Sequence, residues 1–158
     1  MLGSIHPEAD LKGARRHKGA IDRLPPHSLE AEQGVLGCIL ISPNESLNTC
    51  IERFEDAEVF YDLRHQTIYT ELVAMFKSGI PIEIISLQQR LKDKKTLEQV
   101  GGIAYLAGLP DSVPSAANLS YYLDIVREKH ILRKLIHTCT ETAGRVYEYE
   151  GEVDGLLG

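Results

Sequence analysis

The candidate chemical groups of this chain include three of the six histidines, one of the three cysteines and a short acidic run. His137-Thr138-Cys139 sets two metal-ligating side chains two positions apart. On a helix, positions i and i+2 point to different faces, and zinc takes four ligands, or three and a water. Cys139 therefore reads as a small apolar residue in a helical seam. His130 and His137 lie seven apart, on one helical face. Such a pair could sense pH, but two solvated polar positions is the simpler reading. His65 would need a nucleophile and an orienting group around it to be catalytic. No Ser-His-Asp arrangement is visible, so it reads as a structural histidine facing the core. Glu55, Asp56 and Glu58 read as a solvated turn rather than the spaced acid and base of a hydrolase. No Gly-x-x-x-x-Gly-Lys-Ser/Thr occurs, and Gly101-Gly102 has no Lys-Ser/Thr after it, so the sequence holds no phosphate loop. Catalytic, cofactor and metal residues are all expected to be absent, which points to an interaction domain rather than a free-standing enzyme.

Composition is consistent with one globular domain. The chain has 158 residues, 43% apolar and 25% charged, enough to bury a core without disulfides or metal. Cys38, Cys50 and Cys139 are odd in number and form no Cys-x-x-Cys, the usage of a reducing cytoplasm. No apolar run approaches the ~20 residues of a membrane span, and the first residues lack a signal peptide's apolar core. Residues 1–23 carry five basic groups (Lys12, Arg15, Arg16, Lys18, Arg23) against three acidic ones, in a chain whose net charge is −6. The acidic remainder argues against broad, sequence-independent DNA binding, which rests on Lys and Arg neutralising phosphates. The basic leader reads as a tail; contact with nucleic acid is its alternative use.

The elements that position these residues read as helical almost throughout. Two prolines at 25–26 stiffen the approach to Ser28, a good N-cap, and Glu30 and Glu32 sit in the first helical turn, where carboxylates are favoured. This first helix should run to about Ile41, with Leu29, Leu36, Ile39 and Leu40 at helical spacing. Gly34 and Gly37 each weaken it by about 1 kcal/mol relative to Ala, a cost that close approach of a neighbouring element would offset. A short helix near Ser46–Phe54 follows. The next spans about Leu63–Ser78, with His65, Ile68, Tyr69, Leu72, Met75 and Phe76 facing inward. Gly79 and Pro81 end it. Ile82, Ile84 and Ile85 have no partner strand, so they read as a loop entering a helix over about Ile84–Lys94. Gly101-Gly102 opens a further short helix that closes near Pro110. The longest element begins after Pro114, with Ser115 as cap, and runs to about Val146. Tyr122, Ile125, Lys129, Leu132, Ile136, Cys139, Ala143 and Val146 step by three and four along it, a heptad-like seam. Some 30 helical residues extend about 45 Å, longer than the body of such a domain needs, so this helix reads as a projecting arm that packs on a partner. Glu152–Gly158 starts a return helix.

The motifs, in order, resemble the N-terminal domain of bacterial replicative DNA helicases of the DnaB family. They are Pro25-Pro26-His27-Ser28-x-Glu30-Ala31-Glu32-x-x-Val35-Leu36-Gly37, Arg64-His65-Gln66-x-Ile68-Tyr69, Gly79-x-Pro81-Ile82-Glu83-x-Ile85-Ser86-Leu87, Val100-Gly101-Gly102-x-Ala104-Tyr105-Leu106, Pro114-Ser115-Ala116-Ala117-Asn118 and Tyr122-x-x-Ile125-Val126-Arg127-Glu128-Lys129. The resemblance covers about residues 24–157. Two features depart from it: Glu83 stands where the family has Asp, and the return helix is incomplete.

The resemblance implies an all-α fold. After the basic leader (1–23) that the charge pattern marks, it would have a globular helical subdomain (24–113) and a helical hairpin arm (114–158) whose second helix is truncated. It implies a collar domain that pairs with itself into dimers, and into a hexamer in the parent protein. It also implies a docking surface for the primase C-terminal domain, with a helicase loader as a further partner. DNA, ATP and Mg would be handled by the parent's ATPase ring, an ATP-dependent helicase, and not by this fragment. Within the arm, Ile125, Leu132, Ile136 and Val146 are the expected self-association or partner surface. The alternative is a free-standing helical adaptor or nucleic-acid-binding module related to the collar, whose binding would fall steeply with salt and vanish without residues 1–23.

Overall fold

The first helix, α1 (Leu29–Ile41), starts where Ser28 Oγ accepts from the Ala31 N–H at 3.2 Å. Past its first turn it is buried almost all round, from Ala31 to Ile39 except Gln33. A helix apolar on every side is one that neighbours surround, and α1 is that helix here. The remaining elements in this computed structural model, which describes residues 23–157, are α2 (Pro43–Arg53), α3 (Leu63–Lys77), α4 (Ile84–Asp93), α5 (Gly102–Gly108), α6 (Leu119–Glu148) and α7 (Val153–Leu157). Short 3-10 turns stand at Ala57–Val59, Pro110–Ser112 and Ala116–Asn118. No strand occurs among the described residues, and the fold is all-α. Apart from Arg23, the expected leader lies outside the described residues.

The two central glycines mark where α1 is approached most closely. A Cβ on Gly34 would stand 2.8 Å from the Tyr122 ring of α6, and one on Gly37 would stand 2.5 Å from the Leu109 carbonyl. Both glycines are therefore contact surfaces for other elements, and the intrinsic cost of glycine in a helix is offset by packing. On its other sides α1 meets α2 and α3. Phe60, Ile68, Leu72, Met75, Leu87, Leu91 and Leu106 complete the core below it. Phe76 only leans on that core, and Leu29 is exposed at the helix start.

Helix ends follow local chemistry. Asp62 caps α3 by accepting from the Arg64 N–H at 2.8 Å. Ser86 Oγ accepts from the Glu83 N–H at 3.0 Å, so α4 starts with a serviceable cap despite glutamate at this position. Ser115 accepts from the Ala117 N–H at 3.2 Å, but it caps a 3-10 turn, and α6 proper begins three residues beyond the start expected from sequence. Pro43 opens α2, three residues earlier than expected, because proline is well suited to the first helical turn. Glu71 joins α3 to α4 through Arg90 (2.6 Å) and Lys94 (2.6 Å).

Candidate functional site

Two regions gather the polar and apolar groups left over from the core. One is a buried network inside the body; the other is the long helix that leaves it.

Inside the body, Glu32 is wholly buried, not merely favoured by the helix end. Its Oε2 accepts from the Tyr61 N–H at 2.8 Å and its Oε1 from the Asp62 N–H at 3.2 Å. His65, also sealed from solvent, has Nδ1 2.8 Å from Glu32 Oε1 and Nε2 2.5 Å from the Tyr105 hydroxyl. A neutral imidazole donating from Nδ1 and accepting at Nε2 satisfies both partners. Gln33 donates to the same hydroxyl at 3.3 Å, and the Arg64 guanidinium lies 4.4 Å from the Tyr105 ring centroid. A carboxylate, an imidazole and a hydroxyl in series can activate a nucleophile. Here the first two are closed to any substrate, so the series ties α1, α3 and α5 together. His65 is thus the structural histidine the spacing indicates.

The second region is α6. Leu119, Leu123 and Val126 are its only buried side chains, and they fall on one side within about 60° of arc at 100° per residue. His130, Arg133, His137 and Glu141 continue that side in polar form. His130 is half-buried, less solvated than expected. Burial, with Arg133 and Lys134 beside it, holds its pKa below the ordinary histidine value against Asp56 and Glu58. Between this side of α6 and the 55–58 turn runs a groove lined by Arg53, Asp56, Glu58, Arg127, His130 and Lys134. Arg53 also pairs with Asp124.

The opposite side of α6 is apolar and uncovered. Among the four expected surface residues, Ile125 leans on the core, whereas Leu132, Ile136 and Val146 are exposed, Ile136 by 52%. By helical geometry all four share an arc of about 80°, turned about 150° from the buried side. Ile131, Leu135, Cys139 and Tyr147 widen this stripe, with Leu135 56% and Tyr147 90% exposed. The seam expected from sequence omitted Ile131, Leu135 and Tyr147. A strict heptad follows 3.5 residues per turn, and the side chains flanking it fall outside the count. Cys139 is exposed. Cys38 and Cys50 are enclosed, and burial pushes both thiols up, Cys50 to about 12.

Among the described residues no three metal-ligating side chains converge, and no helix is long and apolar enough to cross a membrane. The described chain is thus an all-helical body from which a long helix carries an open apolar stripe. The comparisons with known proteins name the family. Residues 24–128 match the model of the DnaB-like helicase N-terminal domain. The chain is 43% identical over 136 residues to the replicative DNA helicase DnaC of Bacillus subtilis, covering 86% of this chain and 30% of that protein. It is 43% identical over 129 residues to the replicative DNA helicase DnaB of Haemophilus influenzae, covering 82% of this chain and 27% of that protein. The crystal structure of the N-terminal domain of DnaB helicase from Mycobacterium tuberculosis superposes with a TM-score of 0.78 at 32% identity, over 85% of this chain and 93% of that one. This chain belongs to the family of DnaB-like helicase N-terminal domains. It spans less than a third of the length of these two helicases.

Proposed function

We propose that this domain is the collar of a replicative helicase, and that it assembles through the apolar side of α6. The observation that carries this reading is the stripe turned away from the body. Half-exposed Ile131, Leu135, Ile136 and Val146 have no partner within the described chain, and an apolar patch of that kind marks an interaction site. A second copy fits it. Reflected about Cys139, Ile131 falls on Tyr147, Leu132 on Val146 and Leu135 on Ala143. Ile136 falls on Thr142, whose methyl can cover it, so an antiparallel pair of α6 helices about a two-fold axis there would set three apolar pairs and one Ile–Thr pair face to face in an isologous contact.

In this reading residues 24–113 form the body and residues 114–158 the hairpin arm, with α7 the start of the return helix. The parent protein, in the cytoplasm, would form dimers and then a hexamer. Its collar would dock the primase C-terminal domain and a helicase loader. ATP, Mg and DNA would be handled by the ring that follows this domain, and the parent would be an ATP-dependent DNA-unwinding helicase.

Sedimentation across a concentration series, paired with a short bismaleimide cross-linker, tests the arm. Self-association with a covalent dimer through Cys139, lost in Ile136→Asp, is the expected result. A chain that stays monomeric at high concentration, or a dimer indifferent to Ile136→Asp, would remove the arm from assembly.

A further inference from the structure

The Pro25-Pro26-His27 motif does more than lead into a cap. Arg133, midway along α6, donates from Nη1 to the Pro26 carbonyl at 2.8 Å and from Nη2 to the Val59 carbonyl at 2.9 Å. These acceptors belong to two separate segments, the strap before α1 and the 3-10 turn before Phe60. The same guanidinium stands 5.6 Å from the centroid of the Tyr61 ring, on which His27 stacks at 4.2 Å. His27 Nδ1 lies 2.7 Å from the Pro25 carbonyl and stiffens the strap from within. Behind Tyr61, whose N–H bonds Glu32, that buried carboxylate supplies the countercharge. No side chain of α6 after Arg133 is hydrogen-bonded to the body among the described residues, and none after Val126 is buried.

From these contacts we propose that Arg133 is the positioning residue that sets the direction in which the arm leaves the body. The proposal rests on the reading of the arm as the assembly element. About 15 helical residues lie beyond Arg133, a lever of roughly 22 Å, so 10° of play at the joint would move the tip by about 4 Å. An interface that must close a symmetric ring tolerates little of that. The guanidinium fork spans two acceptors in a fixed plane, whereas an ammonium is a point charge on a flexible stem. Lysine at this position would hold one carbonyl and leave the other free. The two prolines fit the same role, because they fix the backbone that presents the Pro26 carbonyl.

The test is a distance measurement within one chain. Lys92 on α4 and Glu148 at the end of α6 are both exposed. Lys92→Cys and Glu148→Cys, in a Cys139→Ser background, would carry nitroxide labels, with Cys38 and Cys50 protected by burial. Spin dilution with unlabelled protein keeps the measurement intramolecular. The unsubstituted joint is expected to give one narrow distance distribution, and Arg133→Ala and Arg133→Lys at least a doubling of its width. Arg133→Lys keeps the charge and the stem, so its melting temperature is expected within ~3 °C of the parent. Should Arg133→Ala fail to fold, Arg133→Lys carries the test. An unchanged width in Arg133→Lys overturns the proposal, and so does a broad distribution in the parent. Because isolated chains are observed, a failure of arm-mediated association leaves this result standing, and the two readings fail separately.

Discussion

The two halves of α6 have similar apolar content and opposite fates. In the first half Leu119, Leu123 and Val126 are buried, and the Tyr122 ring packs on Gly34 of α1. From His130 outward, Ile131, Leu132, Leu135, Ile136 and Val146 are all exposed. These outer apolar residues sit on the side of the helix away from the body. On the side facing it, the sequence turns to His130, Arg133 and His137. The helix keeps its apolar stripe but rotates it from the inside to the outside partway along. Apolar content alone thus does not tell core from interface; the angle relative to the body does.

This contrast predicts unequal costs for equal truncations. Leu123→Ala removes a fully buried side chain at the root and is expected to cost about 3 kcal/mol, by transfer and cavity terms together. Leu135→Ala, on the open stripe, is expected to stay within about 0.5 kcal/mol of the parent. Denaturant unfolding of the isolated domain, under conditions where it is monomeric, measures both. Equal losses would mean that the arm's stripe is covered within the chain after all.

Glycine divides the molecule the same way. Gly34→Ala drives a Cβ against the Tyr122 ring at 2.8 Å and should destabilise by about 1–3 kcal/mol. Gly144, in the arm, has open space around it. Gly144→Ala should stabilise the helix by up to about 1 kcal/mol. Opposite signs in thermal melts support the division, whereas equal signs would contradict the close approach of α6 to α1.

Much of this organisation is legible in the sequence, and the exceptions share a cause. Ser28, Asp62 and Gly79 act locally, so helix boundaries follow from caps and breakers to within about three residues. The close packing at Gly34 and Gly37 is foreseeable because glycine weakens a helix without such a reward. Glu32, His65 and Tyr105 meet across spans of 33 and 40 residues in the chain, and Arg133 reaches back 74 residues to Val59. No local rule brings them together, and Glu32 reads equally well as a first-turn carboxylate. The seam from Tyr122 to Val146 reads as continuous because its steps of three and four continue through the point where the body ends. Only the position of α1 against Tyr122 and Ile125 shows where its burial stops.

Association separates the halves from the other direction. Ile136→Asp places a charge on the open stripe, with an expected change in unfolding free energy of less than about 0.5 kcal/mol. The same substitution should weaken self-association tenfold or more, about 1.4 kcal/mol. Sedimentation equilibrium and denaturant unfolding on one preparation check both. A mutant that unfolds would return Ile136 to the core and join the halves into one packed helix.

The smallest expected effect lies at the boundary itself. His130 is half-buried at the root, and its pKa is held below the ordinary value of 6.5 by burial, with Arg133 and Lys134 adding to the shift and Asp56 and Glu58 opposing it. The unfolded chain therefore binds the proton more readily than the folded one. Stability from this group is present above about pH 6.5 and is lost as pH falls from there through the lowered folded value. His130→Gln should flatten the fall in stability between about pH 7 and pH 5. An unchanged slope in His130→Gln would mean that the groove between α6 and the 55–58 turn leaves the imidazole open to solvent, and the boundary between the packed and the open part of α6 would have to be moved inward along the helix.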